Sequence, residues 1–336
     1  MGKNVELIIT DSYFKVFDIL TDKLAGKTEG IEERNVIFCE EKLSLMAERA
    51  ICDRFFGTFN TDVYSFSNYL KSRKRVDALS REGSAMVVRR ILNDTPLSVL
   101  KAGKINLAPT LFDLIIQLKS ASVSPEDLFA AITYLPDGKR EKIKDIAAIY
   151  SAYEKFIDEQ GFIDQSSVMN FLPEEIEKDE SLKGARIFLI GYNSWTAQAR
   201  RAILSLIHVA GEVIAVVSGG ENEFLFVNET AGVFEKICFA AGVKPKKTFV
   251  PSYKAEETRI LSEKLFNALK VKGEKFKTDK VLLNRAESPE SETRAIAGII
   301  ATGVKMGARY RDYTVALPDV KNGAKSIFAF ASAVFL

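Results

Sequence analysis

Histidine occurs once in this 336-residue sequence, as His208, and cysteine three times, as Cys39, Cys52 and Cys238. One histidine with scattered cysteines cannot supply the ligand set of a zinc centre. A Ser-His-Asp triad would have to use His208, which sits in LIHVAGEV at a helix-to-strand junction with no nucleophile elbow nearby. The cysteines form no CxxC pair. An odd, sparse set reads as reduced, buried thiols of a cytoplasmic protein. No apolar run approaches the roughly 18 residues of a membrane-spanning helix, so no membrane partner is expected. The opening MGKNVELIITD is too polar for a secretory signal. Neither sign of charge dominates: Lys and Arg total 47, Asp and Glu 45, leaving +2. Any contact with nucleic acid must therefore rest on a local patch.

What the sequence does hold is alternation. Glu6–Ile9, Val36–Cys39, Asp62–Ser65, Arg186–Ile190, Glu212–Val217 and Lys247–Val250 are short apolar runs. Helical periods follow most of them: Ser12–Leu24, with Asp11 or Ser12 as cap, then Glu41–Phe55, Ala197–Ile207, Thr230–Ala241 and Glu256–Leu269. Short buried strands separated by helices predict a parallel α/β sheet. Between about Tyr69 and Glu177 no strand appears. Helical periods at Ser84–Leu92, Thr110–Leu118, Pro125–Ala131 and Ile143–Glu159 predict a helical insertion. The acidic PEEIEKDE (Pro173–Glu180) reads as a solvated linker, and charged Lys272–Lys280 as a second one. Beyond it VLLNRA from Val281, a helix Glu290–Lys305 and a strand Thr314–Leu317 read as the start of another α/β unit. The domain expectation is 1–70 and 179–270 for the first sheet, 71–178 for the insertion, and 271–336 for the linker and second unit.

A phosphate-binding loop needs GxxxxGK[ST] directly between a buried strand and a helix. The only GK[ST] is Gly26-Lys27-Thr28, which follows a helix and has Thr21 where the first glycine belongs. The turn in the right place, Thr10-Asp11-Ser12-Tyr13, has neither glycine nor lysine, and Asp11 would repel a phosphate. The magnesium-binding carboxylate expected at the end of a later strand is also missing, because RIFLI ends at Ile190.

Several segments carry a family resemblance. FCEEKLSLMAERA (Phe38–Ala50), DVYSFSNYL (Asp62–Leu70), LKGARIFLIGYNSWTAQ (Leu182–Gln198), SYKAEETRILSEKLF, RAESPESETRAIAGII and YRDYTVALPD together resemble the AddB component of AddAB-type ATP-dependent helicase/nucleases. The resemblance implies a RecA-like parallel sheet of the superfamily-one helicase type with a helical insertion, then a second RecA-like domain. It implies a role in DNA double-strand-break repair, beside a helicase–nuclease partner subunit of the AddA type. The family's nuclease, with its iron–sulfur cluster and magnesium, would lie beyond Leu336, so no cofactor and no catalytic residue is expected within these residues. The family's phosphate loop is absent here, the acid of its IDGF segment falls on Ile190, and the Gln of its VPEQ segment on Lys42. A helicase-like fold used for binding single-stranded or double-stranded DNA is the leading reading. An active ATPase and a protein–protein scaffold are the alternatives.

In such a family the degenerate domain is thought to scan the exiting strand for a recombination hotspot, Chi. Single-strand binding needs aromatic faces and cations or amides along the backbone path. Residues just past the C-terminal ends of parallel strands are the natural place. Those are Lys42 and Ser44 after the second strand, Phe66, Asn68 and Lys71 after the third, and Tyr192, Asn193 and Trp195 after RIFLI. An aromatic at such a position either stacks on bases or plugs the top of the sheet. The run KSRKR (Lys71–Arg75), including Arg73, is the densest basic feature; it would either neutralise phosphates or form a solvated helix end.

Overall fold

The computed structural model describes residues 4–28, 33–74, 78–100, 107–220, 228–252, 257–258, 260–261 and 278–317. The chain forms two compact units, Met1–Tyr253 and Lys254–Leu336. In the first, six strands make one all-parallel sheet: β1 (Asn4–Thr10), β2 (Asn35–Cys39), β3 (Thr61–Tyr64), β4 (Arg186–Ile190), β5 (Glu212–Ser218) and β6 (Lys246–Val250), in the order β3-β2-β4-β5-β1-β6. All six expected strands of this sheet are present.

The strands are apolar on both sides because helices cover both faces. Val5, Leu7, Ile9, Phe38, Leu189 and Val217 face one core, and Ile8, Ile37, Phe188, Ile190 and Val216 the other. The second core is closed by α1 (Lys15–Leu24) and α2 (Ser44–Phe55). The first is closed by α3 (Phe66–Arg73), further helices of the insertion, and two helices that follow β4 and β5.

The insertion runs through α4 (Arg81–Asp94), α5 (Leu107–Ser120), α6 (Pro125–Ala131), α7 (Asp137–Glu159), α8 (Gln165–Val168) and α9 (Leu172–Lys178). It has a core of its own, with Phe112, Ile149, Tyr150 and Tyr153 at the centre. α6 starts where sequence chemistry says it should: Ser124 and Asp127 form a capping box and Pro125 fills the first turn. A buried ion pair, Lys119 to Asp164 at 2.5 Å, ties α5 to the loop before α8. The chain returns to the sheet with α10 (Ala197–Val209) after β4 and α11 (Glu229–Ala240) after β5.

Several sequence expectations are corrected. α1 begins at Lys15, and neither Asp11 nor Ser12 caps it, because Asp11 is engaged elsewhere. The acidic run Pro173–Glu180 is not a linker. Most of it forms α9, whose Leu172 and Ile176 are fully buried and whose acids pair with bases on and just after α3. Cys39 and Cys238 are buried, and burial pushes each thiol up to about 12, but Cys52 is exposed. His208 lies in the last turn of α10 and is exposed.

In the second unit the expected helix is present as α12 (Pro289–Lys305), with Ser288 and Ser291 in a reciprocal cap. The segments 281–286 and 314–317 are not strands. An apolar run becomes a strand only where another strand pairs with it, and Leu282 and Leu283 are exposed instead. The expected helix Glu256–Leu269, the linker Lys272–Lys280 and the 270/271 boundary fall largely outside the described residues. Among the described residues no helix is long and apolar enough to cross a membrane, and no cluster of three or more His, Cys, Asp or Glu residues is arranged to hold a metal ion.

Candidate nucleic-acid interface

The order β3-β2-β4 sets three C-terminal strand ends side by side, with Phe38 opposite Tyr64 and Cys39 opposite Ile190. The loops that leave them meet at one edge of the sheet. Gly191 makes this possible: its φ is +71°, and a Cβ there would fall 2.3 Å from Leu43 Cδ1. Only glycine lets the loop after β4 cross the loop after β2 so closely.

Under these loops lies a row of aromatic rings. Phe38 and Phe66 are 5.1 Å apart between centroids, Phe66 and Tyr192 stack at 5.6 Å, and Tyr192 meets Trp195 at 4.4 Å. Phe66, Tyr192 and Trp195 are buried. The Trp195 indole N–H donates to the Thr230 carbonyl at 3.2 Å. The Tyr192 hydroxyl is enclosed without a hydrogen-bond partner among the described residues, and burial holds its pKa well above 10.0. Of the two roles the sequence leaves open for these rings, their placement favours the plug: the faces turn to one another because the sheet end has little other apolar cover.

Polar side chains surround this row. Lys42, Asn68 and Asn193 are exposed at the edge, and Ser44 is half-buried with its hydroxyl donating to the Glu41 carbonyl at 2.8 Å. Lys42 pairs with Glu40, whose hydrogen bond raises the lysine pKa. Further along α3 Lys71 is exposed and makes no ion pair among the described residues. Arg73 is committed: it lies 2.9 Å from Asp179 and 5.4 Å from the Tyr69 ring centroid. Lys74, the next member of the basic run, lies 3.8 Å from Glu175 and over the Phe171 ring. Seven of the nine expected site residues therefore gather at the edge, Lys71 lies along the helix leaving it, and Arg73 is spent on α9.

Sequence reasoning missed Arg200, in the first turn of α10. Its Nε donates to the Trp195 carbonyl at 3.0 Å, and no ion pair among the described residues reaches it. A cation four residues after the capping Thr196 is the signal that was available.

The turn between β1 and α1 is built without glycine or lysine. Asp11 Oδ1 accepts the backbone N–H of Ser252 at 2.7 Å, and the buried Thr10 hydroxyl has no partner among the described residues. Gly26-Lys27-Thr28 lies at the opposite end of the sheet, where Lys27 pairs with Glu33 at 3.4 Å.

The fold and this edge define a RecA-like α/β module carrying a helical insertion, with its aromatic row and polar rim at the C-terminal ends of the strands. The family described as "ADDB, N-terminal" matches residues 29–238, well over half of the chain, and the chain belongs to that family. Its relatives include the AddB-type subunits of ATP-dependent helicase/deoxyribonucleases. The chain is 25% identical over 266 residues to that of Thermoanaerobacter sp. (strain X514), covering 73% of this chain and 23% of the relative. The protein of the same description from Clostridium novyi (strain NT) is 22% identical over 328 residues, covering 89% and 29%. That of Alkaliphilus metalliredigens (strain QYMF) is 27% identical over 191 residues, covering 52% and 16%. The chain thus spans less than a third of the length of each of these relatives.

Proposed function

We propose that this chain is a helicase-like module that holds DNA without using ATP, within a subunit of a DNA-repair helicase/deoxyribonuclease that works alongside a helicase–nuclease partner subunit. The observation that carries the reading is a contrast at one sheet edge. Amides, hydroxyls and cations (Lys42, Ser44, Asn68, Asn193, with Lys71 along α3) surround the ends of β2, β3 and β4, while the β1–α1 turn has no group to grip a phosphate and holds an aspartate instead. A single strand crosses the edge with its backbone along the polar rim and its bases against the surface roofed over Phe66, Tyr192 and Trp195. Such a path reads a short sequence in the exiting strand, as a hotspot-scanning site requires. Nuclease chemistry, magnesium and an iron–sulfur cluster belong to other parts of such a subunit.

The test is fluorescence anisotropy with a labelled oligo-dT, beside thermal melts with ATP and magnesium. The expected outcome is binding that weakens as salt rises, since phosphates release counterions, and a melting temperature indifferent to the nucleotide. Stabilisation by ATP, or turnover stimulated by single strands, overturns the nucleotide-free reading. Absence of oligonucleotide binding at low salt overturns DNA contact and leaves the scaffold reading.

A further inference from the structure

A groove of about 450 Å³ opens where the insertion meets the sheet edge, between the last turn of α5 and the first turn of α10. Its floor is apolar: Ile116, Ala121, Ala197 and one edge of the Trp195 indole. Its rim is Gln117, Ser120, Thr196 and Arg200, so the lining carries one cation and no carboxylate.

The walls are fixed. Arg200 is held by its Nε on the Trp195 carbonyl, which leaves its other guanidinium nitrogens for a ligand. Thr196 caps α10 by accepting the Ala199 N–H, and the helix adds its partial positive charge to that side. On the α5 side Ser122 turns the chain in the left-handed region at φ +57°. Its hydroxyl accepts from Arg201 at 3.4 Å, and Arg201 also donates to Asn170 at 3.0 Å. Gln198 ties the same seam by donating to the Ser166 carbonyl at 2.8 Å.

We infer that this groove is a subsite for one nucleotide of a single strand. The base lies on the apolar floor with its edge to Gln117 and Ser120, and its phosphate meets Arg200. The volume falls in the range that takes small organic groups, about 300–1,000 Å³, and an apolar slot beside an uncommitted guanidinium matches a base with its phosphate. Trp195 belongs to both the ring row and the groove floor, so the groove continues the edge across which the strand is proposed to run. The inference rests on that DNA-binding reading and adds to it the place where one base is drawn in.

Trp195 is the only tryptophan of the chain, so its emission reports on the groove alone. Titration with dT10 is expected to quench that emission in the unaltered protein. Arg200→Gln and Ala121→Phe, the second filling the slot from an exposed position, are each expected to weaken anisotropy-measured binding by about fivefold or more and to reduce the quench. Gln117→Ala, which removes only a rim amide, is the milder control, and circular dichroism checks the folding of all three. Binding that persists with unchanged affinity and quench in folded Arg200→Gln and Ala121→Phe overturns the groove and leaves the DNA reading standing. Failure of the unaltered protein to bind dT10 overturns both.

Discussion

The two ends of the sheet treat their cations differently. At the N-terminal end Lys23 pairs with Glu6, Arg34 with Asp62 at 2.7 Å, Arg186 with Glu212 at 2.7 Å and Lys27 with Glu33. Glu6, Arg34, Arg186 and Glu212 are at most half-exposed, so these pairs fasten the strand starts to their surroundings. At the C-terminal end Lys42 has an acid beside it, while Lys71 on α3 and Arg200 on α10 make no ion pair among the described residues. Cations with matched acids hold a fold together. Cations left without them are available to an anion from outside. Arg73 and Lys74 show the boundary, since they belong to the same basic run as Lys71 yet are taken up by α9.

The comparison is broken most strongly by Asp179→Asn. Burial works to raise the Asp179 carboxyl, but Ser181, the Tyr69 hydroxyl and Arg73 together hold it below its ordinary 3.8. Its stabilisation is therefore present above the unfolded carboxyl's pKa and is lost as pH falls through the lowered folded value. The variant is expected to lose about 1–3 kcal/mol at pH 7, with a difference that shrinks below pH 3.8. Urea melts at both pH values check this. The same variant frees Arg73, so a steeper salt dependence of oligonucleotide binding is expected.

Glu212→Gln at the opposite end removes a charged partner from half-buried Arg186. A loss of about 1–2 kcal/mol by thermal melt, with no change in oligonucleotide affinity, is expected. A loss of affinity here would erase the distinction between the ends. The smallest effect on stability belongs to Lys71→Ala. Its melting temperature is expected to match the parent, while the slope of log affinity against log salt falls by about 0.7, one phosphate contact on a single strand. An unchanged slope would place Lys71 off the path.

How far the sequence reaches follows from the range of each interaction. The six strands are legible because each is a continuous apolar run, and a strand buried on both faces needs nothing else locally. α6 is legible down to its first residue because its cap is chemistry between residues three apart. The start of α1 is not, because Asp11 spends its carboxylate on Ser252, far along the chain. PEEIEKDE and KSRKR read separately as solvated charge; only the fold shows that each is partner to the other across about a hundred residues of helix. The site residues could be gathered from the rule that loops follow strand ends. That the rings lean on one another depends on the crossing at Gly191, which no local pattern encodes. VLLNRA and Thr314–Leu317 have the composition of strands, and composition does not supply a neighbour.

The bond from Asp11 to Ser252 joins the first turn of the chain to the point just past the last strand of the first unit. In a nucleotide-driven motor that first turn is where a bound phosphate pushes and the rest of the machine responds. Here an aspartate occupies it as a fixed strut. The departure point of the chain is thus set by the protein's own backbone, and the cycle of grip and release that would make this end a moving part has been replaced by a permanent fastening.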